Sequence, residues 1–253
     1  MKVICVGFWK TGTKSMSKAL IDLGYNVYDY AEQSFLLRSL WDKFFDGTVT
    51  DDDIYQALKD VDALIDGPTI VFWEEIYRVF PEAKIILTMR DEDKWWKSLK
   101  GMNDAFYSGP RAAILKFLLL TTPTGYSFTK FVNKIMRYGY GVEDDNLILS
   151  FSWSRNEKLY KLKYRQHNAY VLHTVPDNKR LVHEPSHGWS PLCEYLGKEV
   201  PGKAYPHQNK NASIFTSELM SNPIFIKLSR EMLVELAVFV LILAAAVGWW
   251  FYG

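Results

Sequence analysis

The chain has 253 residues, of which 48% are apolar and 15% aromatic, and its formal net charge is +1. That length suits one α/β domain with an appendage, and the apolar fraction excludes a globally disordered chain. A balanced charge without a basic tail excludes broad nucleic-acid binding, so an anionic ligand would have to meet a local cluster of positive groups.

The chain opens with Val3-Ile4-Cys5-Val6, a β-branched apolar run of strand length and too short for a secretory signal. Gly7-Phe8-Trp9-Lys10-Thr11-Gly12-Thr13-Lys14-Ser15 follows, and then a helical pattern with Met16, Ala19, Leu20 and Leu23 on one face and Gly24 as its stop. A strand, a glycine-bearing loop and a helix together aim backbone N–H groups and the positive end of a helix dipole at an anion. Lys10 and Lys14 add full charges, and Thr11, Thr13 and Ser15 add hydroxyls. A tight turn with a capped helix needs none of these, so the pattern points to phosphate. It is not a Walker A loop, because Thr13 stands where that motif has Lys and Lys14 comes one residue late.

Residues 25–28 read as a short second strand, and 31–46 and 51–60 as helices. Asp51, Asp52 and Asp53 at the start of the latter read as a solvated, dipole-favoured cluster and not as a metal site. Ala63-Leu64-Ile65-Asp66-Gly67-Pro68 reads as a buried strand ending in an acid and a turn. An acid at the carboxyl end of a parallel strand lies on the ligand-binding edge of an α/β sheet. Asp66 then has three competing roles: a Mg²⁺ ligand in an ATPase, a general base, or a residue that merely begins a turn.

A helix is expected over 70–80, with Phe72, Ile76 and Val79 inward, and a central strand over 85–89. Arg90-Asp91 closes that strand, and a helix carries Trp95, Trp96 and Ser98. This arrangement can aim Arg90, a fork of charged donors, and Ser98, a neutral one, at a single phosphate. Residues 101–141 mix small helices (112–120 and 128–138) with many aromatics, which suit an acceptor pocket or an ordinary core. A long helix over 152–174 places Tyr160, Tyr164, His167 and Val171 on one stripe, with His167 structural. Arg180-Leu181-Val182-His183-Glu184-Pro185 reads as another strand. His183 and His187 have the spacing of helical metal ligands, but Pro185 and Gly188 argue against a helix there.

Cys5 and Cys193 lack metal-type spacing and read as free thiols of a reducing compartment. Residues 236–252 carry no charge, close to the length that spans a bilayer. Lys227 and Arg230 precede this run and no Lys or Arg follows, which places the preceding domain on the cytosolic side, with Trp249, Trp250 and Tyr252 as an interfacial belt. A core or dimer-interface helix is the competing account. The sequon at Asn211 would stay bare in a cytosolic domain.

The order Lys10-Thr11-Gly12-Thr13 resembles the 5′-phosphosulfate loop of the P-loop sulfotransferases, and Arg90-Asp91 with Trp95 and Ser98 resembles their 3′-phosphate motif. The wording is most similar to the branch that includes the parasite drug-activating sulfotransferases. That branch shows Gly-x-x-Arg-Thr-Gly-Thr-x-Ser, Asp-x-Pro and Thr-x-Arg-Asp-x-x-x-Trp, matched by Gly7–Ser15, Asp66–Pro68 and Thr88–Trp95. Gly188 to Gly197 resembles its Gly-Trp-x-Pro-Leu-Cys segment, so the resemblance covers about residues 1–210. Lys10 departs from the branch's usual Arg and keeps the charge without the fork.

The resemblance implies an α/β three-layer P-loop fold, with a central parallel sheet flanked by helices, over residues 1–222. A C-terminal hydrophobic helix, a membrane tail anchor, is expected over 223–253. It implies transfer of a sulfuryl group from 3′-phosphoadenosine 5′-phosphosulfate (PAPS) to a hydroxyl or amine of a small acceptor, with no metal. Lys10, Thr11, Gly12, Thr13, Lys14 and Ser15 would hold the 5′-phosphate, and Arg90 and Ser98 the 3′-phosphate. Lys10 and Asp66 would be catalytic, with His183 and His187 as fallback bases. The rival readings are a P-loop kinase or ATPase with Asp66 on Mg²⁺, and a non-catalytic, membrane-anchored nucleotide-binding protein.

Overall fold

A computed structural model describes residues 1–107, 119–141 and 156–207, the isolated positions 113 and 117, and scattered positions from 226 to 241. Five strands form one sheet: β1 (Val3–Cys5), β2 (Val27–Tyr28), β3 (Ala63–Ile65), β4 (Lys84–Thr88) and β5 (Arg180–His183). The order is β2-β3-β1-β4-β5 and every pairing is parallel. Ile4 sits between Leu64 and Ile85 in register, so β1 is the middle of the sheet.

The strands are apolar on both faces, as buried parallel strands must be. Their two-residue alternation divides the core. Ile4, Val6, Leu64, Ile85 and Leu87 face one layer, against Leu40, Trp41 and Phe44 of α3 (Arg38–Phe45), Ile54 and Leu58 of α4 (Asp51–Leu58) and Trp73 and Ile76 of α5 (Thr69–Val79). Val3, Cys5, Ala63, Ile65 and Ile86 face the other, against Met16, Ala19 and Leu20 of α1 (Thr13–Asp22) and Leu192, Cys193 and Leu196 of α9 (Ser190–Leu196). Helices on both faces of a parallel sheet make three layers. Both cysteines are free and buried. Each fully buried aliphatic side chain contributes about 1.5–3 kcal/mol, so the sheet is the rigid frame on which the loops stand.

Several bounds differ from the sequence reading. The helix expected over 31–46 is two: α2 (Tyr30–Leu36), opened by an Asp29–Glu32 capping box, and α3. They break at Leu37 because α2 buries Gln33 at the sheet edge while α3 turns an apolar stripe into the core. Thr50 and Asp53 form the capping box of α4, Asp51 pairs with Arg78 and Asp52 accepts from Gln56, so the acidic trio is spent on local contacts at the helix start. In α5 the buried residues are Thr69, Ile70, Trp73 and Ile76, and the expected Phe72 and Val79 are partly buried, packed against the same core as Trp73 and Ile76. After α6 (Glu92–Tyr107) comes α7 (Pro123–Tyr140), which starts earlier than expected because Thr122 caps it and Pro123 takes its first turn. Most of the helix expected over 112–120 lies outside the described residues. The long helix, α8, runs Glu157–Thr174 and starts late because Asn156 accepts the Leu159 N–H as its cap.

No helix among the described residues is long and apolar enough to cross a membrane. The run 236–252 lies outside them except at positions 237, 238 and 241, as do Asn211 and the boundary at 222. Glu231 accepts both the N–H (2.9 Å) and the hydroxyl (2.5 Å) of Thr124, which places its charge on the positive end of α7.

Candidate active site

All five strands end on one edge, and the loop from β1 to α1 stands at its centre, where the chain departs to either side of β1. Two glycines make its path possible. A Cβ on Gly7 would lie 2.0 Å from Thr88 Oγ1 and 2.4 Å from the Thr88 carbonyl, so only bare backbone passes β4 there. Gly12 has φ +104°, and a Cβ on it would lie 2.4 Å from Pro185 Cγ.

The loop's carbonyls are held from the protein side. His167 Nε2 lies 2.6 Å from the Val6 carbonyl and so carries a proton, while its ring stacks on Phe8 at 4.4 Å. Trp95 Nε1 donates to the Trp9 carbonyl (2.8 Å) and Arg90 Nη1 to that of Lys10 (3.2 Å). The Thr11 hydroxyl donates to the Phe8 carbonyl at 2.6 Å and therefore accepts from Thr88 Oγ1, also at 2.6 Å. Among the described residues no side chain caps α1, and the N-terminal end of a helix, with its backbone N–H groups and positive dipole, is a place where an anion can bind.

Charge is concentrated beside this helix end. Lys10 holds a left-handed backbone (φ 69°), and burial and the Arg90 guanidinium lower its pKa while nearby Asp66 opposes them. Asp66 is 5% exposed and also left-handed (φ 79°). Burial, reinforced by the Asp29 carboxylate, pushes its carboxyl up to about 7. Lys14 and hydrogen bonds from the Gly67 N–H (2.9 Å) and the Thr13 hydroxyl (3.1 Å) pull the other way. Lys14 Nζ is 2.9 Å from Asp29 Oδ2 and sits 4.2 Å above the Tyr30 ring.

A family model described as a sulfotransferase domain matches residues 2–214. The chain belongs to the sulfotransferase family. Ava biosynthesis cluster protein M of Aspergillus versicolor is 30% identical over 217 residues, which covers 82% of this chain and 80% of its own. The sulfotransferase match includes the 7–15 loop, Asp66, Arg90 and Ser98 and ends before residues 223–253.

In this sulfotransferase-family chain, the structure brings Lys10, Thr13, Asp66 and Arg90 together, with Lys14 joined through Asp29. Thr11 uses its hydroxyl inside the protein, and Ser15 is buried in the first turn of α1. Ser98 lies half-buried one turn beyond Trp95 on α6. His183 is fully buried; its Nε2 donates to the Gly188 carbonyl at 3.0 Å, burial lowers its pKa, and its Nδ1 meets no partner among the described residues. His187 Nδ1 accepts the Glu184 N–H at 3.2 Å. Both fallback bases are thus turned to local contacts. Among the described residues, no three His, Cys, Asp or Glu are grouped to hold a metal.

Asp29 and Gln33 carry no expected role in the sequence, Thr88 enters it only as a motif position and Pro185 only as a helix breaker, and nothing in it foretells the fixing of the Arg90 backbone by Tyr164, whose hydroxyl accepts the Arg90 N–H (3.1 Å) and donates to its carbonyl (2.8 Å). Asp29 had a legible signal: an acid directly after a strand, three residues before Glu32. The contacts of Gln33 with Ile65 and Thr69, of Thr88 with Thr11 and of Pro185 with Gly12 had none, since these partners are distant in sequence.

Proposed function

We propose that this chain transfers a sulfuryl group from PAPS to a hydroxyl or amine of a small apolar acceptor. PAPS, the co-substrate, supplies the sulfuryl group. The observation that carries the reading is Asp66: a buried carboxyl, hydrogen-bonded to Thr13 of the phosphate-loop helix and near enough to Lys10 for their charges to interact, that burial pushes up to about 7. A carboxyl near 7 matches the operating pH of a general base far better than an ordinary one near 3.9.

Asp66 takes the proton from the acceptor as the acceptor's oxygen or nitrogen forms its bond to sulfur. The bond from sulfur to the 5′-phosphate oxygen breaks, and its electrons stay on that oxygen. Lys10 meets the charge that builds there, and the N–H groups of the first turn of α1 hold the phosphate. Arg90, with its backbone pinned by Tyr164, and Ser98 meet the 3′-phosphate. The Trp9 indole, through its Nε1 and ring carbon Cζ2, and the Ile135 methyl Cγ2 lie 3.1–3.2 Å from where a Gly67 Cβ would stand, so an aromatic ring and an aliphatic group line the residue next to the base, which supports an apolar acceptor.

Thermal stabilisation by 3′,5′-bisphosphoadenosine, with ATP–Mg²⁺ as the comparison, tests the donor. A ligand at 100 times its Kd stabilises by about 2.7 kcal/mol. A response to ATP–Mg²⁺ alone would make Asp66 a metal ligand and refute the reading. Asp66→Asn should bind the bisphosphate normally and lose turnover; wild-type turnover would remove Asp66 as the base.

We also propose that residues 236–252 span a membrane, with residues 1–222 as the catalytic domain on the cytosolic side. The uncharged run and the preceding Lys227 and Arg230 support this.

A further inference from the structure

Asp66 is held in a backbone conformation that a residue with a Cβ seldom adopts, and such conformations persist only where their surroundings over-determine them. One side chain grips both flanks of this turn. Gln33 is fully buried, and both ends of its amide are used. Its Nε2 donates to the Ile65 carbonyl at 2.7 Å and to the Tyr28 carbonyl at 3.1 Å, and its Oε1 accepts the Thr69 hydroxyl at 2.8 Å. Ile65 immediately precedes Asp66, and Thr69, the first residue of α5, lies three residues after it. A single amide therefore ties the end of β3, the end of β2 and the start of α5 into one unit, with Asp66-Gly67-Pro68 between its two grips. α2 bears this amide and is capped by Asp29, whose carboxylate holds Lys14. The same helix and its cap thus hold both the backbone of Asp66 and the Lys14–Asp29 pair whose charges act on it.

We propose that Gln33 is a positioning residue for sulfuryl transfer: its amide holds the Asp66 turn so that the carboxyl faces the acceptor and stays out of water. This rests on Asp66 being the acceptor's base. A glutamine that only cemented the core would affect stability and leave the titration of Asp66 alone. If it sets the turn, loosening it lets water reach Asp66, and the carboxyl falls back towards the ordinary range. The charged groups that face Asp66 among the described residues are Lys10 on the loop, Lys14 on α1 and Asp29 at the end of β2. Thr13 and the Gly67 N–H are its hydrogen-bond donors. Changes at Gln33 or Thr69 remove none of these.

The test uses the full-length protein and three variants. Gln33→Leu removes all three bonds, Thr69→Val removes one, and Thr69→Ser keeps the hydroxyl. Infrared difference titration follows the Asp66 carboxyl band, identified by its loss in Asp66→Asn. In Gln33→Leu and Thr69→Val the midpoint should fall by one pH unit or more. kcat should drop about tenfold with its acid limb moving in step, while KM for PAPS and affinity for 3′,5′-bisphosphoadenosine stay within about twofold. Thr69→Ser should behave as wild type. A wild-type midpoint in Thr69→Val overturns the proposal, even where Gln33→Leu fails to fold. A lowered midpoint with unchanged sulfuryl transfer leaves the clamp standing and refutes Asp66 as the base.

Discussion

The sharpest consequence of the buried carboxyl is a stability that depends on pH through one atom pair. Folded Asp66 keeps its proton to about pH 7, whereas in the unfolded chain an Asp loses it at about 3.9. Its folded pKa is raised, so between about pH 4 and 7 the folded state binds more protons than the unfolded one, and stability falls as pH rises. Each pH unit in that window costs about 1.4 kcal/mol, so relative to low pH the fold loses an amount on the order of 4 kcal/mol above pH 7 and about 1–2 kcal/mol at pH 5. Asp66→Asn removes the titration; its one carbonyl oxygen can accept the Gly67 N–H, and its NH2 can donate to the Thr13 hydroxyl oxygen. Relative to wild type, the variant should therefore be more stable at pH 8 than at pH 5 by about 2–3 kcal/mol, which at this chain length corresponds to roughly 5–10 °C in Tm. Any constant gain or loss from the amide cancels in this comparison. Thermal unfolding followed by circular dichroism at the two pH values measures it. A Tm difference that is the same at both would mean that Asp66 titrates as an ordinary surface carboxylate, and the argument for it as a base near neutrality would fall with it.

Three further outcomes follow from the geometry. Arg90→Ala should weaken 3′,5′-bisphosphoadenosine by about 1.5–3 kcal/mol, the worth of a charged hydrogen bond, while a nucleotide without the 3′-phosphate changes little by calorimetry; equal losses would reassign Arg90 to holding the Lys10 carbonyl alone. Gly7→Ala should cost at least about 3 kcal/mol in urea unfolding, because its methyl would occupy the space of Thr88 backbone atoms, and a loss below about 1 kcal/mol would show that the loop can lift from β4. Deleting residues 236–253 should move the protein from the membrane to the soluble fraction on centrifugation; full-length protein that is soluble without detergent would end the anchor reading.

Short-range patterns carried much of this protein. The apolar runs of β1, β3, β4 and β5, the nine-residue glycine loop and the Arg90–Ser98 stretch are each complete within ten residues, so the sequence alone determined an α/β chain of the sulfotransferase family and pointed to the helix end where we propose the phosphate site. What it could not determine depends on residues that meet only after folding. The order β2-β3-β1-β4-β5 brings Asp29 beside Asp66 although 37 positions part them, and Thr11 onto Thr88. Pro185 closes on Gly12 because β5 ends at the same edge as β1. The chemistry of Asp66 is the clearest case. An Asp before Gly-Pro reads equally as a turn, a metal ligand or a base, and its character is set by burial, by the Asp29 charge and by a backbone held between Ile65 and Thr69 through Gln33. Desolvation is a property of everything packed around a group, so only the tertiary structure decided it.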